Sequence, residues 1–321
     1  MANNVSLPFA VSRPVIGGIS QAVLTAQDDP AKPLLLIVHG GPGEPVTPFC
    51  EVLSPLMERF VVCLWEQRGA GMSYSKSLNP KDLCVTQYVA DTIEVSRFLL
   101  SQFKREKLVL MGFSWGTLLG ILAASHSPEL YSAYVGVGQI FDQRASEKEA
   151  FETALLRAKE AGDTKSVEIM ESLGPPPYEG PQAMKKMLKE RTILRKYSGH
   201  KKQVKLTEFL KTVFSCPYYT FSDKVNYFRG MRLGAALFPE VLACTPVDVS
   251  KVDVPVCVIQ GEHDMQTMPN QAKRLIDLLD TPKKQFILFE NAGHSPVEED
   301  PEGFAKVIDS IEGIYEPWVK D

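Results

Sequence analysis

Short apolar runs recur in two separated parts of the chain, with helix-like stretches between them. The runs are rich in β-branched and aromatic residues and hold few polar positions, which is typical of strands covered on both faces in a parallel sheet. The predicted strands are LLLIV (34–38), FVVCLW (60–65), KLVLM (107–111), AYVGV (133–137), VPVCVIQG (254–261) and QFILFE (285–290). Helices are predicted near 48–59, near 86–103, directly after Ser114, near 269–280 and at the end of the chain.

The strand pattern is missing between about 141 and 245, where charged and apolar residues recur at helical spacing. The stretch GPPPYEGP (174–181) interrupts this helical region. An α/β pattern that stops and later resumes predicts one sheet domain with an insertion. We therefore assign 1–140 and 246–321 to an α/β core and 141–245 to a helical cap inserted in it.

Composition fits an ordinary globular protein, since 44% of the 321 residues are hydrophobic and 23% are charged. A net charge of −4 argues against a nucleic-acid-binding protein. The N-terminus lacks a basic and then apolar leader, and no apolar run approaches the roughly 20 residues of a membrane span. We expect a cytoplasmic protein without a membrane partner. The six cysteines form no CxxC pair, which favours reduced thiols over disulfides or a metal site.

A serine lies between two glycines in GFSWG (112–116), where an apolar strand leads into an apolar helix. The alternative is a glycine-rich turn that happens to contain a serine. The strand-turn-helix context favours a nucleophile elbow, in which side chains at 112 or 116 would collide with the serine. The helix start also places N–H groups and a positive dipole beside it. Ser114 is therefore the predicted nucleophile.

A nucleophilic serine needs a base and an acid that orients the base. In α/β proteins with a nucleophile elbow these residues follow the chain order serine, acid, histidine. His294 lies in the loop ENAGHSP after the last predicted strand, so it is the predicted base. Asp264 in GEHD (261–264) is the predicted acid, with Glu262 as the alternative. His126 is predicted to pack or cap a helix, and His200 to be solvated.

Donors for a developing oxyanion are expected from two places in the backbone. One is the N–H of Trp115, which follows the nucleophile. The other is the N–H of Gly41 in the loop HGGPG (39–43), which follows the first predicted strand. His39 at the start of this loop is predicted to shape it.

The motifs HGGPG, EQRGAGMS (66–73), GFSWG, GEHD and GHS together resemble the α/β-hydrolases. Within them the chain resembles the proline iminopeptidase-like group of serine aminopeptidases. The resemblance spans the sheet domain and implies an α/β-hydrolase fold with a helical cap over the site. It also implies catalytic Ser114, Asp264 and His294, an oxyanion hole from Gly41 and Trp115, and no metal or organic cofactor.

The resemblance assigns no residue of the cap. Proline iminopeptidases hold the substrate amine with acidic cap residues near tryptophans, whereas Trp65, Trp115 and Trp318 all lie outside this insert. A carboxylate is the natural partner of a cationic amine, and Glu44 directly follows HGGPG. We hypothesise that Glu44 selects substrates with a free amino group; the alternative is that it points into solvent. Glu66, where the group commonly has Asp, is predicted with Arg68 to fix its loop.

Two features of the cap have open interpretations. The segment 184–205 holds nine Lys or Arg against one Glu, which indicates a solvated helix face or, alternatively, an anionic partner or membrane surface. Aromatic residues between 216 and 228 either line an acyl pocket or form the core of the cap.

The sequence thus predicts a serine hydrolase that acts on a small molecule or short peptide, with an aminopeptidase as the leading interpretation. A carboxylesterase or small-amide hydrolase is the enzymatic alternative. A ligand receptor that keeps the fold is the alternative of a different class.

Overall fold

The computed structural model describes residues 8–78, 83–198 and 205–311. Its centre is an eight-stranded sheet in the order β1-β4-β6-β5-β7-β8-β9-β10. These strands are β1 (Phe9–Ser12), β4 (Ala22–Ala26), β5 (Leu34–Val38), β6 (Val61–Glu66), β7 (Leu108–Phe113), β8 (Tyr131–Val137), β9 (Val256–Gly261) and β10 (Lys284–Phe289). The short strands β2 (Val15–Ile16) and β3 (Ile19–Ser20) form a separate hairpin.

The strands from β6 to β10 in the sheet order pair in parallel, while β1 and β4 add an antiparallel edge beside β6. Each of the predicted apolar runs forms one of the parallel strands, and β5 and β6 are buried along their whole length. The predicted α/β fold with a mostly parallel sheet is confirmed. The sequence analysis did not assign β1 to β4, which are short and lie close to Pro14 and to the glycine pair at 17–18.

Helices cover both faces of the sheet. They are α1 (Ser54–Met57), α2 (Val85–Phe103), α3 (Trp115–His126), α4 (Gln143–Glu160), α5 (Thr164–Leu173), α6 (Ala183–Tyr197), α7 (Leu206–Ser215), α8 (Phe221–Gly234), α9 (Phe238–Ala243), α10 (Pro269–Leu278), α11 (Pro296–Glu299) and α12 (Pro301–Asp309). One apolar cluster joins α2, α3 and α10 to one face, through residues such as Leu99, Leu118 and Leu275. Another joins α1 and α12 to the opposite face, through Leu56 and Phe304.

The helices α4 to α9 follow one another between β8 and β9, and we call them the helical insert. Asp142 begins it as an N-cap, accepting a hydrogen bond of 2.9 Å from the backbone N–H of Ala145. Apolar residues of α4, α5 and α6 form a small core that also includes Met265 and Met268, which follow the predicted acid. The insert is therefore packed against the loop after β9. The domain boundaries given above stay a prediction.

A buried carboxylate connects the loop after β6 to the helical insert. Glu66 accepts hydrogen bonds from the backbone N–H of Met72 and from the Tyr219 hydroxyl, each at 2.5 Å. Burial raises the pKa of Glu66 to about 7. Arg68 forms a buried ion pair of 2.7 Å with Asp91 on α2. These contacts are the ones that the loop-fixing hypothesis for Glu66 and Arg68 requires.

In the described part of the chain, no helix combines the length and the apolarity needed to cross a membrane. All six cysteines are free thiols. Cys50, Cys63, Cys216 and Cys257 are buried, and Cys84 and Cys244 are partly exposed.

The helix α3 approaches the centre of the sheet so closely that only glycine fits at the contact. A methyl group on Gly116 would lie 2.0 Å from the carbonyl oxygen of Val38, at the end of β5. One on Gly112 would lie 2.5 Å from the carbonyl oxygen of Gly116. The nearest obstacles to side chains at 112 or 116 are therefore the backbones of α3 and β5, whereas the sequence pattern indicated the serine.

We expect Gly116→Ala to destabilise the protein by about 3 kcal/mol, because backbone atoms cannot move aside as a flexible side chain can. Gly162→Ala is the control, since a methyl group there meets nothing within 4 Å and costs only the strain of a φ of +65°, about 1 kcal/mol. Urea unfolding of both variants gives the comparison. Equal losses would show that the contact between α3 and β5 is not tight.

Candidate active site

Ser114 occupies the turn between β7 and α3 in a strained backbone conformation. Its φ is 50° and its ψ is −117°, a region that residues other than glycine rarely adopt. The surrounding structure holds it there: its N–H donates to the carbonyl oxygen of Val137 at 2.9 Å, and its own carbonyl accepts from the N–H of Thr117 at 2.8 Å. The strain turns the hydroxyl away from the sheet and toward the loop after β10.

His294 lies in that loop and connects Ser114 to Asp264. Its Nε2 is 2.9 Å from the Ser114 hydroxyl oxygen, and its Nδ1 is 2.8 Å from Oδ2 of Asp264. Asp264 is fully buried and also accepts hydrogen bonds from the backbone N–H groups of Gln266 and Thr267, at 2.7 and 3.1 Å. Further donors to it are the Thr267 hydroxyl at 2.8 Å and the Gln260 amide at 2.7 Å. The carboxylate is therefore fixed in the orientation that serves the imidazole.

Opposing effects set the pKa values of this pair. Burial raises the pKa of Asp264, but the charge and hydrogen bond of His294 outweigh it, with the backbone donors, and the net shift is downward. Burial lowers the pKa of His294, and the charge and hydrogen bond of Asp264 reverse this to a net rise. The pair thus stabilises a charged imidazolium beside Ser114.

The structure places the alternative acid elsewhere. Glu262 is exposed and accepts a hydrogen bond of 3.0 Å from the backbone N–H of Asn291. His263 lies 3.9 Å from Glu262 and not in the hydrogen-bonded chain. His126 is the last residue of α3, and His200 lies outside the described residues.

The HGGPG loop runs beside the serine. A methyl group on Gly40 would be 3.4 Å from Cβ of Ser114, and Gly41 has a φ of 114° that favours glycine. Within the described ranges, the backbone N–H groups of Gly41 and Trp115 donate to no protein acceptor. The structure thus leaves both of the predicted oxyanion donors available near the turn.

His39 holds this loop in place. Its Nδ1 donates to the carbonyl oxygen of Gly40 at 2.8 Å, and its Nε2 accepts from the backbone N–H of Gln67 at 3.2 Å. Burial lowers the pKa of His39 to about 4, so the ring is neutral at pH 7. The Gln67 side chain in turn accepts from the indole N–H of Trp115 at 2.8 Å. These bonds are those of the loop-shaping residue that the sequence analysis predicts.

A cleft of about 500 Å³ opens between this site and the helical insert. It is lined by His294, by the carboxylates Glu44, Glu298 and Glu299, by Arg191, Leu194, Arg195 and Ser198 of α6, and by apolar residues that include Leu206, Phe209 and Met231. Of the aromatic residues considered above, Tyr219 and Tyr227 are buried among other rings. They therefore belong to packing and not to the cleft surface.

Glu44 and Glu298 approach the same histidine from different loops. Glu44 reaches water, yet the cleft walls desolvate it enough to raise its pKa, against the opposing charge of His294. Desolvation likewise raises the pKa of Glu298, and the charge of Glu44 adds to the rise. In the described ranges neither side chain has an ion pair or hydrogen bond. Glu299, by contrast, accepts from the backbone N–H groups of Gly293 and Ser295.

Sequence reasoning missed Glu298 and the α6 arginines as residues of the cleft. Glu298 follows His294 by four residues, and one helical turn (α11) returns it to the histidine. The arginines were visible only as part of a basic stretch. Among the described residues, no group of three or more His, Cys, Asp or Glu side chains is arranged to hold a metal ion.

Comparison with known proteins gives relatives across nearly the whole chain. The chain is 28% identical over 304 residues to a Bacillus subtilis protein named "Probable aminopeptidase YbaC", covering 91% of this chain and 93% of that one. It is 23% identical over 301 residues to a proline iminopeptidase of Clostridium botulinum, covering 86% and 88%.

A solved structure of a proline iminopeptidase-related protein from Thermus thermophilus matches with a TM-score of 0.67 at 17% identity, covering 98% of this chain and all of that one. At this identity the likeness concerns the fold alone. The family model for the alpha/beta hydrolase fold matches residues 33–301. With the sheet order, the serine turn and the positions of the acid and histidine loops, this match establishes that the chain belongs to the α/β-hydrolase family.

Proposed function

We propose that this protein is a serine hydrolase that cleaves small N-terminal aminoacyl amides through an acyl-enzyme. The observation that carries the proposal is the hydrogen-bonded chain from Ser114 through His294 to Asp264 at the wall of the cleft. The names of the relatives support hydrolysis at an amino terminus. A cytoplasmic location, and the absence of nucleic-acid and membrane partners, stay predictions from the sequence.

In this mechanism His294 takes the proton of the Ser114 hydroxyl as the oxygen attacks the substrate carbonyl carbon. The negative charge that develops on the carbonyl oxygen is stabilised by the N–H groups of Gly41 and Trp115. The imidazolium, held by Asp264, gives its proton to the leaving amine as the C–N bond breaks. Water then attacks the acyl-enzyme with His294 as base, which releases the acid and restores the serine.

Glu44 and Glu298 support the choice of an aminopeptidase. The charge of Glu44 raises the pKa of Glu298, so the two partly desolvated carboxylates are unfavourable neighbours, and a cationic amine between them would relieve the repulsion. Both lie beside His294, hence close to the bond that would be cleaved. We extend the proposal to aminopeptidase activity and not to proline selectivity, because these carboxylates lie on loops outside the helical insert.

The second candidate is a carboxylesterase or small-amide hydrolase. The apolar wall formed by Leu206, Phe209 and Met231 favours this alternative, since it suits an acyl group without charge. A receptor without turnover is the third possibility, and hydrolysis of a p-nitrophenyl ester separates it from both enzymes.

We expect Ser114→Ala and His294→Ala each to lower the turnover of a p-nitrophenyl ester by about 10⁴-fold or more, because each removes a partner of the proton transfer. Circular dichroism checks that the fold is intact. A rate above about a tenth of wild type in either variant would refute the assignment.

Asp264→Asn is expected to be severely impaired in the same assay, because the imidazole loses its orienting charge. Glu262→Gln is the matched control, since that carboxylate is exposed and contacts a different loop. If Glu262→Gln proves the more damaging change, the acid must be reassigned.

The rate should rise with pH, because His294 acts as a base only when it is neutral. The raised pKa of His294 places the midpoint above about 6.5, the ordinary value for histidine. The measurement is kcat/KM for an uncharged ester as a function of pH, so that the substrate does not titrate. A flat profile between about pH 5 and 8 would contradict a histidine base.

Wild type should cleave an aminoacyl-naphthylamide about tenfold or more faster than its N-acetylated form, because acetylation removes the charge that Glu44 and Glu298 would bind. Glu44→Gln and Glu298→Gln should each reduce this preference. Glu106→Gln, a change of the same charge at an exposed residue away from the cleft, should leave it unchanged.

Equal cleavage of both forms by wild type would make the esterase or amidase the leading function. If wild type prefers the free amine and both glutamine variants keep that preference, the aminopeptidase stands and the two carboxylates do not bind the amine.

A further inference from the structure

The basic stretch of the sequence separates in space into two faces of α6. The residues that line the cleft are spaced three and four apart and so lie on one face: Arg191, Leu194, Arg195 and Ser198. The lysines lie elsewhere, with Lys185 and Lys189 exposed and Lys196 paired with Asp163. The face of α6 toward the site therefore carries arginine, and the outward face carries lysine.

Arg191 lies close to the reacting groups. Its guanidinium contacts Glu147 at 3.1 Å and the carbonyl oxygen of Met265, the residue after Asp264, at 3.4 Å. Its charge is near enough to oppose the rise in the pKa of His294. Because a guanidinium carries five N–H donors, these two contacts do not use all the donors of Arg191.

Arg195 follows one helical turn later on the same face. Its charge lowers the pKa of Glu44, which stands on the other side of the cleft. The cleft thus presents guanidinium groups on the wall formed by α6 and carboxylates on the wall formed by the loops after β5 and β10. A substrate with charges of both signs would match both walls.

We propose that Arg195, with Arg191 beside it, binds a carboxylate on the leaving-group side of the substrate. The preferred substrates are then dipeptide-sized molecules that carry both a free amine and a free carboxylate. The assignment of the amine rests on the proposed function, whereas the carboxylate site rests on the position of α6.

The size of the cleft agrees with this class of substrate. The cleft has a volume of about 500 Å³, which lies within the roughly 300–1,000 Å³ of small-molecule sites. Arginine at both inward positions suits a carboxylate better than lysine does, because its planar fork donates two parallel hydrogen bonds.

The test compares alanyl-alanine with alanyl-alanine amide, which differ only in the carboxylate charge. Wild type should cleave alanyl-alanine faster than its amide. Arg195→Gln should lower kcat/KM for alanyl-alanine by about tenfold, mainly by raising KM, and should leave kcat/KM for the amide unchanged. Lys189→Gln removes the same charge from the outward face of α6 and is the matched control, with no expected effect. Arg195→Lys keeps the charge without the fork and should retain part of the preference.

A second pair of substrates keeps the inference separate from the aminopeptidase proposal. The substrates are the two acetate esters whose leaving groups are 3-hydroxybenzoate and 3-hydroxybenzamide. Neither has an amine, and only the first leaving group carries a carboxylate. Wild type should favour the carboxylate ester, and Arg195→Gln should abolish that preference.

Equal cleavage within both pairs, or equal loss on charged and uncharged members in Arg195→Gln, would overturn the carboxylate site. Failure to cleave the dipeptide with preserved discrimination between the esters would instead refute the aminopeptidase and keep the carboxylate site. Loss of the same rates in Ser114→Ala assigns the turnover to this active site.

Discussion

The close contact between the backbones of β5, β7 and α3 governs the geometry of the site. With no side chain at Gly112 or Gly116, α3 begins directly over the ends of these strands, and Ser114 is forced to a positive φ between them. That conformation directs the hydroxyl to the edge of the sheet and leaves the N–H of Trp115 at the start of the helix, where in the described ranges it donates to no protein acceptor. The same edge receives the loop that contains Gly41. One packing constraint thus sets the positions of the serine and of both candidate donors.

The acid and the histidine come from neighbouring parallel strands, so the sheet register itself brings them together. β9 and β10 pair residue by residue from Val256 with Lys284 to Gly261 with Phe289, and both loops leave at the same edge. Asp264 is buried without losing its charge, because five hydrogen-bond donors, including His294, replace water around it. These hydrogen bonds therefore offset the free-energy cost of burying the charged Asp264 and His294. The loop after β9 is also packed by the helical insert, which holds it in this position.

The sequence was informative where a local pattern has one structural solution. The apolar runs rich in β-branched and aromatic residues formed the parallel strands, and all but β10 are largely buried. The serine, acid and histidine motifs each follow one of these strands. The sequence was uninformative where contacts between distant parts of the chain determine the local structure. β1, β2 and β3 hold only four, two and two residues, too few for a distinct period. Glu298 reaches the histidine only because α11 turns back. The positions of lysine and arginine in α6 were present in the sequence, but which of them line the cleft depends on which face of the helix meets the core.

The position of the helical insert has a consequence for how this scaffold diversifies. β8 and β9 are adjacent parallel strands, and a crossover between such strands needs only a dozen or so residues. The chain between Val137 and Val256 is far longer than that, so most of it is not needed to connect the two strands. Replacing or lengthening α4 to α9 would leave the strand register and the serine turn in place, provided that the contact with Met265 and Met268 is kept. The wall of the cleft that α6 forms is thus encoded in a stretch of the chain that can change in length without altering the sheet.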